Sequence, residues 1–228
     1  MDARLHMGSV MLVSGPIWSG KTSFVIRLLD SAHVVFDVKP TFVYWFYGQK
    51  TAQHDLLTRK NYIMHEGLPT NFDFCERNSV IVLDDLMEET KDSVPVTALY
   101  TKGAHHTPYF VINILQNLYF QSKQQRTRHL NTQYMALFKN PRDLQQINVL
   151  SRQMYPNKKN YLVEIYQDAV AKEYGYLFID LHTRTSELIK LRSDILPLDP
   201  PMYAYVDKQL YGKTLPMIAQ QPYQYGGE

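Results

Sequence analysis

A chain of 228 residues can bury one substantial core, enough for one domain with a tail. Its 45% hydrophobic and 20% charged residues are ordinary for a soluble globular protein, and a formal net charge of +2 names no partner. The single cysteine, Cys75, excludes an internal disulfide framework and a multi-cysteine zinc site, and no apolar run is long enough for a membrane-spanning helix.

In chain order, the apolar run 9–13 (SVMLV) predicts a first strand that leads directly into GPIWSGKT at 15–22. This octet fits the phosphate-binding pattern G-x-x-x-x-G-K-[ST]. Gly15 and Gly20 let the backbone turn tightly and approach an anion, successive N–H groups point inward, and the helix that follows adds the positive end of its dipole. The stretch Gly15, Pro16, Ile17, Trp18, Ser19, Gly20, Lys21, Thr22 and Ser23 is therefore expected to hold ATP. Lys21 faces the β- and γ-phosphates, and Thr22 offers its hydroxyl to Mg²⁺. Trp18 is a bulky residue for such a loop. A helix is predicted over 21–29.

Strands are predicted next at 42–47 (FVYWFY), 62–65 (YIMH) and 80–83 (VIVL). The last places Asp84 and Asp85 at the carboxyl end of a buried strand, where ligands bind in open α/β sheets. Asp84 is expected to hold Mg²⁺ through water, and Asp85 to orient an attacking water. A helix over 94–102 leads to His105 and His106, which lack further ligands at metal spacing and read as loop residues. The strand 109–115 (YFVINIL) ends in Gln116 and Asn117. An amide there either senses a γ-phosphate or caps the strand.

Between residues 121 and 160 the charge becomes one-sided. Eight basic residues (Lys123, Arg126, Arg128, Lys139, Arg142, Arg152, Lys158, Lys159) face one acid, Asp143, an excess of seven positive charges. Such a surface suits a polyphosphate backbone. An arginine in this region can also reach the ATP of a neighbouring subunit. A strand at 134–138, helices at 141–154 and 161–172, and a strand at 176–181 complete the pattern. Several strands are apolar on both faces, and strands alternate with helices. An α/β fold with a mostly parallel central sheet flanked by helices is the expectation. Past Ile195 the sequence is rich in Pro, Tyr and Gln and is expected to leave the sheet. The division expected is an ATPase domain over 1–195 and a tail over 196–228, either loosely ordered or docked on a neighbouring subunit through its tyrosines.

The motifs GPIWSGKTSF, VIVLDDLM, TKGAHH, ILQNLYF, LNTQYMALFKNPRD, RQMYP and GYLFID, in this order, resemble the genome-packaging ATPases of Polinton/Maverick elements and adintoviruses. These are similar to the poxvirus-type DNA-packaging ATPases of the FtsK–HerA superfamily. The resemblance runs over residues 8–195. It implies a RecA-like P-loop core acting as a homo-oligomeric ring, a pentamer or hexamer. ATP hydrolysis with Mg²⁺ would pump double-stranded DNA into a preformed capsid, inside the host cell at the site of virus assembly, with capsid proteins as partners and no membrane. Gln116 matches the family's sensor position. Arg126 matches an arginine that the family carries there and is favoured as the trans-acting finger, with Arg142 as second choice; the family assigns neither as firmly as the lysine and the aspartates. Trp18 departs from the small residue that relatives carry, and Asp85 stands where the wider superfamily has glutamate. Two other readings of the phosphate loop are a small-molecule kinase, with 121–128 as a lid, and a nucleotide-switched assembly module with negligible hydrolysis.

Overall fold

The computed structural model describes residues 2–49, 57, 62–101, 108–118, 123–158, 160–197 and 201–207. The elements are β1 (Val10–Ser14), α1 (Lys21–Asp30), α2 (Ala32–Val35), β2 (Val43–Tyr47), β3 (Ile63–Glu66), β4 (Val80–Asp84), α3 (Met87–Thr90), α4 (Val94–Thr101), β5 (Phe110–Leu115), α5 (Lys123–Leu130), β6 (Tyr134–Phe138), α6 (Gln145–Met154), α7 (Tyr161–Ala169), β7 (Tyr176–Asp180), β8 (Leu191–Ser193) and β9 (Tyr203–Ala204). Each predicted strand is present to within a residue or two. The protein is α/β, and among the described residues nine strands form one sheet in the order β3-β2-β4-β5-β1-β6-β7-β8-β9.

The strands from β3 to β6 pair in parallel, and β7, β8 and β9 extend the sheet antiparallel. Parallel strands need both faces covered, and their sequences provide apolar residues for both. Alternate residues of β1 go to opposite layers. Val10 and Leu12 join the layer built with Val96 and Leu99 of α4, Ile147 and Leu150 of α6 and Leu162 and Tyr166 of α7. Met11 and Val13 join the layer built with Phe24, Val25, Leu28 and Leu29 of α1. Helix α1 therefore backs one face, and α4, α6 and α7 the other. Among the described residues no helix is long and apolar enough to cross a membrane.

Three expectations are corrected. Helix α6 begins at Gln145 rather than at Pro141. The Asn140 carboxamide oxygen accepts from the Arg142 N–H (3.2 Å) and the Asp143 carboxylate from the Gln146 N–H (3.3 Å), so side-chain turns compete with the helix over KNPRD. The chain past Ile195 does not leave the sheet, because Tyr203–Ala204 pairs with β8 as its edge strand. Two prolines nearby are no obstacle, since an edge strand has a side that needs no ladder bond. Tyr205 then donates its hydroxyl to Asp168 (2.7 Å), and Asp207 pairs with Lys158, so this stretch is docked on its own chain. Residues 208–228 lie outside the described residues. The third correction concerns charge. Arg128 belongs to the basic run but is buried, and Lys158 is matched by Asp207.

Under the antiparallel edge lies a buried ion pair that the sequence pattern does not announce. Arg192 of β8 donates through Nη2 to Asp180 of β7 (2.6 Å) and through Nη1 to the Ala3 carbonyl (2.9 Å), with its guanidinium 4.9 Å over the Phe178 ring. Asp180 also accepts from the His182 N–H and the Thr185 hydroxyl. Removing one member of such a pair strands the other charge out of water. Replacing Arg192 by Ala is expected to cost about 3–5 kcal/mol in a urea unfolding titration. Replacing the pair together, Asp180→Asn with Arg192→Met, should recover part of that loss.

Candidate functional site

Because β1, β2, β4, β5 and β6 are parallel, their carboxyl ends open on one edge of the sheet. Antiparallel β7 begins on that same edge. The residues that follow these strands are therefore neighbours in space although they are scattered in sequence.

The loop after β1 carries GPIWSGKT. Its entrance is fixed to the neighbouring strand, with the Gly15 N–H donating to the Leu115 carbonyl of β5 (3.2 Å). Gly20 is left-handed, with φ 93°, immediately before α1, and the Phe24 N–H donates to the Gly20 carbonyl (2.9 Å). Only glycine takes that conformation freely. Trp18 is also left-handed, with φ 67°, and its side chain is 93% exposed, so it faces solvent. A bulky residue there carries backbone strain, which is the physical reason a small residue suits the position.

Lys21 opens α1 and bends back over the loop to donate to the Pro16 carbonyl (2.7 Å). Burial lowers its pKa, and the charges of Asp84 and Asp85 act in the opposite direction. The lysine thus lies within electrostatic reach of both acids. The Ser19 hydroxyl is buried and has no hydrogen-bond partner. An anion in the loop would give it one.

Asp84 ends β4 and is buried, in register with Tyr47 of β2 and Ile114 of β5. Asp85 follows in a left-handed turn, with φ 52°. Just past the end of β5, the Gln116 amide donates to the Asp85 carboxylate (3.1 Å). The structure therefore joins two residues that the sequence placed at separate strand tips. Gln146 of α6 accepts from the Leu118 N–H (2.7 Å) and ties this segment to the helix behind it.

A residue that the sequence reading passed over holds the turn. Gly48 follows β2, its N–H donates to the Asp84 carbonyl (3.1 Å), and a Cβ on it would collide with the Asp85 carbonyl oxygen. The sequence signal was a glycine at the end of FVYWFY, which reads equally well as an ordinary strand stop.

Arg126 lies in α5, and its side chain is outside the described residues, as are Lys123, Lys159, His105 and His106. Arg128, two residues on, donates to the Thr97 hydroxyl (3.1 Å) and to the Ser93 carbonyl (3.1 Å). It therefore fastens α5 to α4. Arg142 is exposed in the loop after β6, and Lys139 and Arg152 are also exposed.

A magnesium ion here would have to share its shell with phosphate. Among the described residues no cluster of three or more His, Cys, Asp or Glu could hold an ion by itself. The protein oxygens that could hold such an ion are the Asp84 carboxylate, at the end of β4, and the Thr22 hydroxyl, in the first turn of α1. Magnesium is commonly held by one or two protein oxygens, with substrate phosphates and water supplying the rest. Compared with protein-family models and with curated proteins, the chain matches none.

Gly48→Ala should leave the sheet folded but displace the Asp85 turn, at a cost of about 1–3 kcal/mol. In a ¹⁵N–¹H spectrum the expected result is shifts confined to residues 47–49, 84–86 and the Gln116 side-chain amide. An unchanged Gln116 amide would show that the contact does not hold the turn.

Proposed function

We propose that this protein is a magnesium-dependent ATPase that moves double-stranded DNA, working as a ring in the packaging of a genome into a capsid. The observation that carries the ATPase reading is the meeting, on one edge of the sheet, of the Lys21 loop, the Asp84–Asp85 pair and the Gln116 amide. The strand order supports a RecA-like core, since β5 intervenes between the loop strand β1 and the acid strand β4. That intervening strand leads into Gln116, whose amide donates to Asp85.

In this reading the loop grips the triphosphate, and Lys21 exchanges the Pro16 carbonyl for the β- and γ-phosphate oxygens. Thr22 and Asp84 are the residues that would hold Mg²⁺, which would supply neutralising charge to those oxygens. Asp85 orients the water that attacks the γ-phosphorus, and the bond to the bridging oxygen breaks to release ADP and phosphate. Gln116 donates to Asp85 and thereby sets which way its carboxylate faces. Arg126, held on a helix that Arg128 fastens down, is the cation offered to the neighbouring subunit's nucleotide.

The DNA part of the proposal is supported by the motif resemblance and by the exposed cations Arg142 and Arg152. Contacts of this kind go to phosphates, so binding is sequence-tolerant and weakens steeply with salt. The same resemblance supports capsid proteins as partners and the host cell's site of virus assembly as the place of action.

The deciding experiment is ATP turnover with and without linear duplex DNA across a salt series. Turnover is expected to rise with DNA at low salt and to lose that stimulation as salt increases. Turnover indifferent to DNA would favour the kinase reading, and ATP binding without turnover a nucleotide-switched module. Lys21→Ala should cut hydrolysis by about a hundredfold or more, because the cation facing the β/γ-phosphates is lost.

Arg126→Ala should spare nucleotide binding and reduce turnover. Mixed with Lys21→Ala subunits, it should regain part of the activity, since each variant supplies what the other lacks. No recovery at any mixing ratio would remove the trans role.

A further inference from the structure

A cleft of about 520 Å³ lies beside the phosphate loop, on the flank away from the acids. Its walls are the outer side of the loop at Pro16–Ser19, the start of the β6–α6 connection at Lys139 and Pro141, and the α7–β7 turn at 171–175. We propose that this cleft takes the nucleoside of a purine nucleoside triphosphate, with the Tyr174 ring as the stacking platform for the base. The proposal rests on the phosphate-loop reading above and extends it.

Strand order supplies the direction. Across the sheet the sequence is β4, β5, β1, β6, β7. Asp84, Asp85 and Gln116 stand on the β4–β5 flank of the loop. The γ-phosphate must face them if they are to orient water, so the triphosphate runs from that flank across β1. Its α-phosphate, and the sugar attached to it, then emerge on the β6–β7 flank, where the cleft opens. A volume of this size falls within the range of small-molecule sites, about 300–1,000 Å³.

The lining suits a nucleoside. Tyr174 lies in the α7–β7 connection and is left-handed, with φ 54°. Its ring lies against the loop, since a Cβ on Gly20 would stand 3.0 Å from Tyr174 Cδ1. The same residue is 63% exposed, so one part of the ring rests on the phosphate loop and the rest is open to a ligand. An aromatic ring so placed stacks on a base with little regard to its identity, more strongly the larger the ring system. Lys139 is exposed and makes no ion pair among the described residues, whereas Lys172 is committed to Asp194. Lys139 and Glu173 thus supply a donor and an acceptor for the polar edges of base and ribose.

Calorimetric titration of the full chain with ADP and with inorganic tripolyphosphate tests this. Wild type should bind both ligands. Tyr174→Ala should weaken ADP by about tenfold and leave tripolyphosphate unchanged, and Tyr174→Phe should behave as wild type. ADP should also bind more tightly than CDP in wild type, and Tyr174→Ala should narrow that gap. Unchanged ADP affinity in Tyr174→Ala, or an equal loss for ADP and tripolyphosphate, would overturn the nucleoside site while leaving the phosphate loop intact. Failure of wild type to bind either ligand would overturn the phosphate-loop reading on which it stands.

Discussion

The parallel pairing of β1 with β5, and of β5 with β4, is the constraint from which the site follows. A parallel ladder points every strand the same way, so the loop of β1, the amide after β5 and the acids of β4 must emerge on one edge. That pairing is held because each strand is apolar on both faces and is covered by helices on both. A register shift of one residue would turn every inward side chain of a strand to the opposite layer. Burial thereby specifies the alignment that brings Lys21, Asp84, Asp85 and Gln116 together.

Strain is concentrated at this edge. Trp18, Asp85 and Tyr174 are non-glycine residues in the left-handed region, and all three border the loop or its flanks. Such conformations persist only where the surroundings over-determine them. At Asp85 the surroundings are visible, in the Gly48 backbone beneath its carbonyl and the Gln116 amide on its carboxylate. At Trp18 no packing offsets the strain, since the side chain is in water.

Positive charge is distributed less simply than its run in the sequence implies. Arg128 is drawn inside, where Thr97 and two main-chain carbonyls, of Lys91 and Ser93, meet its guanidinium. Lys158 is taken by Asp207 from the far end of the chain. A basic stretch therefore serves three ends: exposed cations at Lys139, Arg142 and Arg152, an internal fastener for α5, and an anchor for the segment that adds β9.

Much of this was readable in advance, and for local reasons. The loop after β1 announces itself because GPIWSGKT places particular residues at particular spacings. The strands announce themselves because burial on both faces demands unbroken apolar runs. From these the sequence by itself determined the α/β class, the strand positions and the location of the loop, the acids and the amide at strand ends. Only the tertiary structure decided what depends on distant partners. Gly48 matters because it meets Asp85, Arg192 because Asp180 waits on the next strand, and Arg128 because α4 lies alongside. β9 exists because an edge was open to receive it, and Tyr174 reaches the loop because β7 reverses beside β6. Such contacts leave no periodic trace in either partner's own segment, since each is set by where the chain returns and not by which residues stand next to one another.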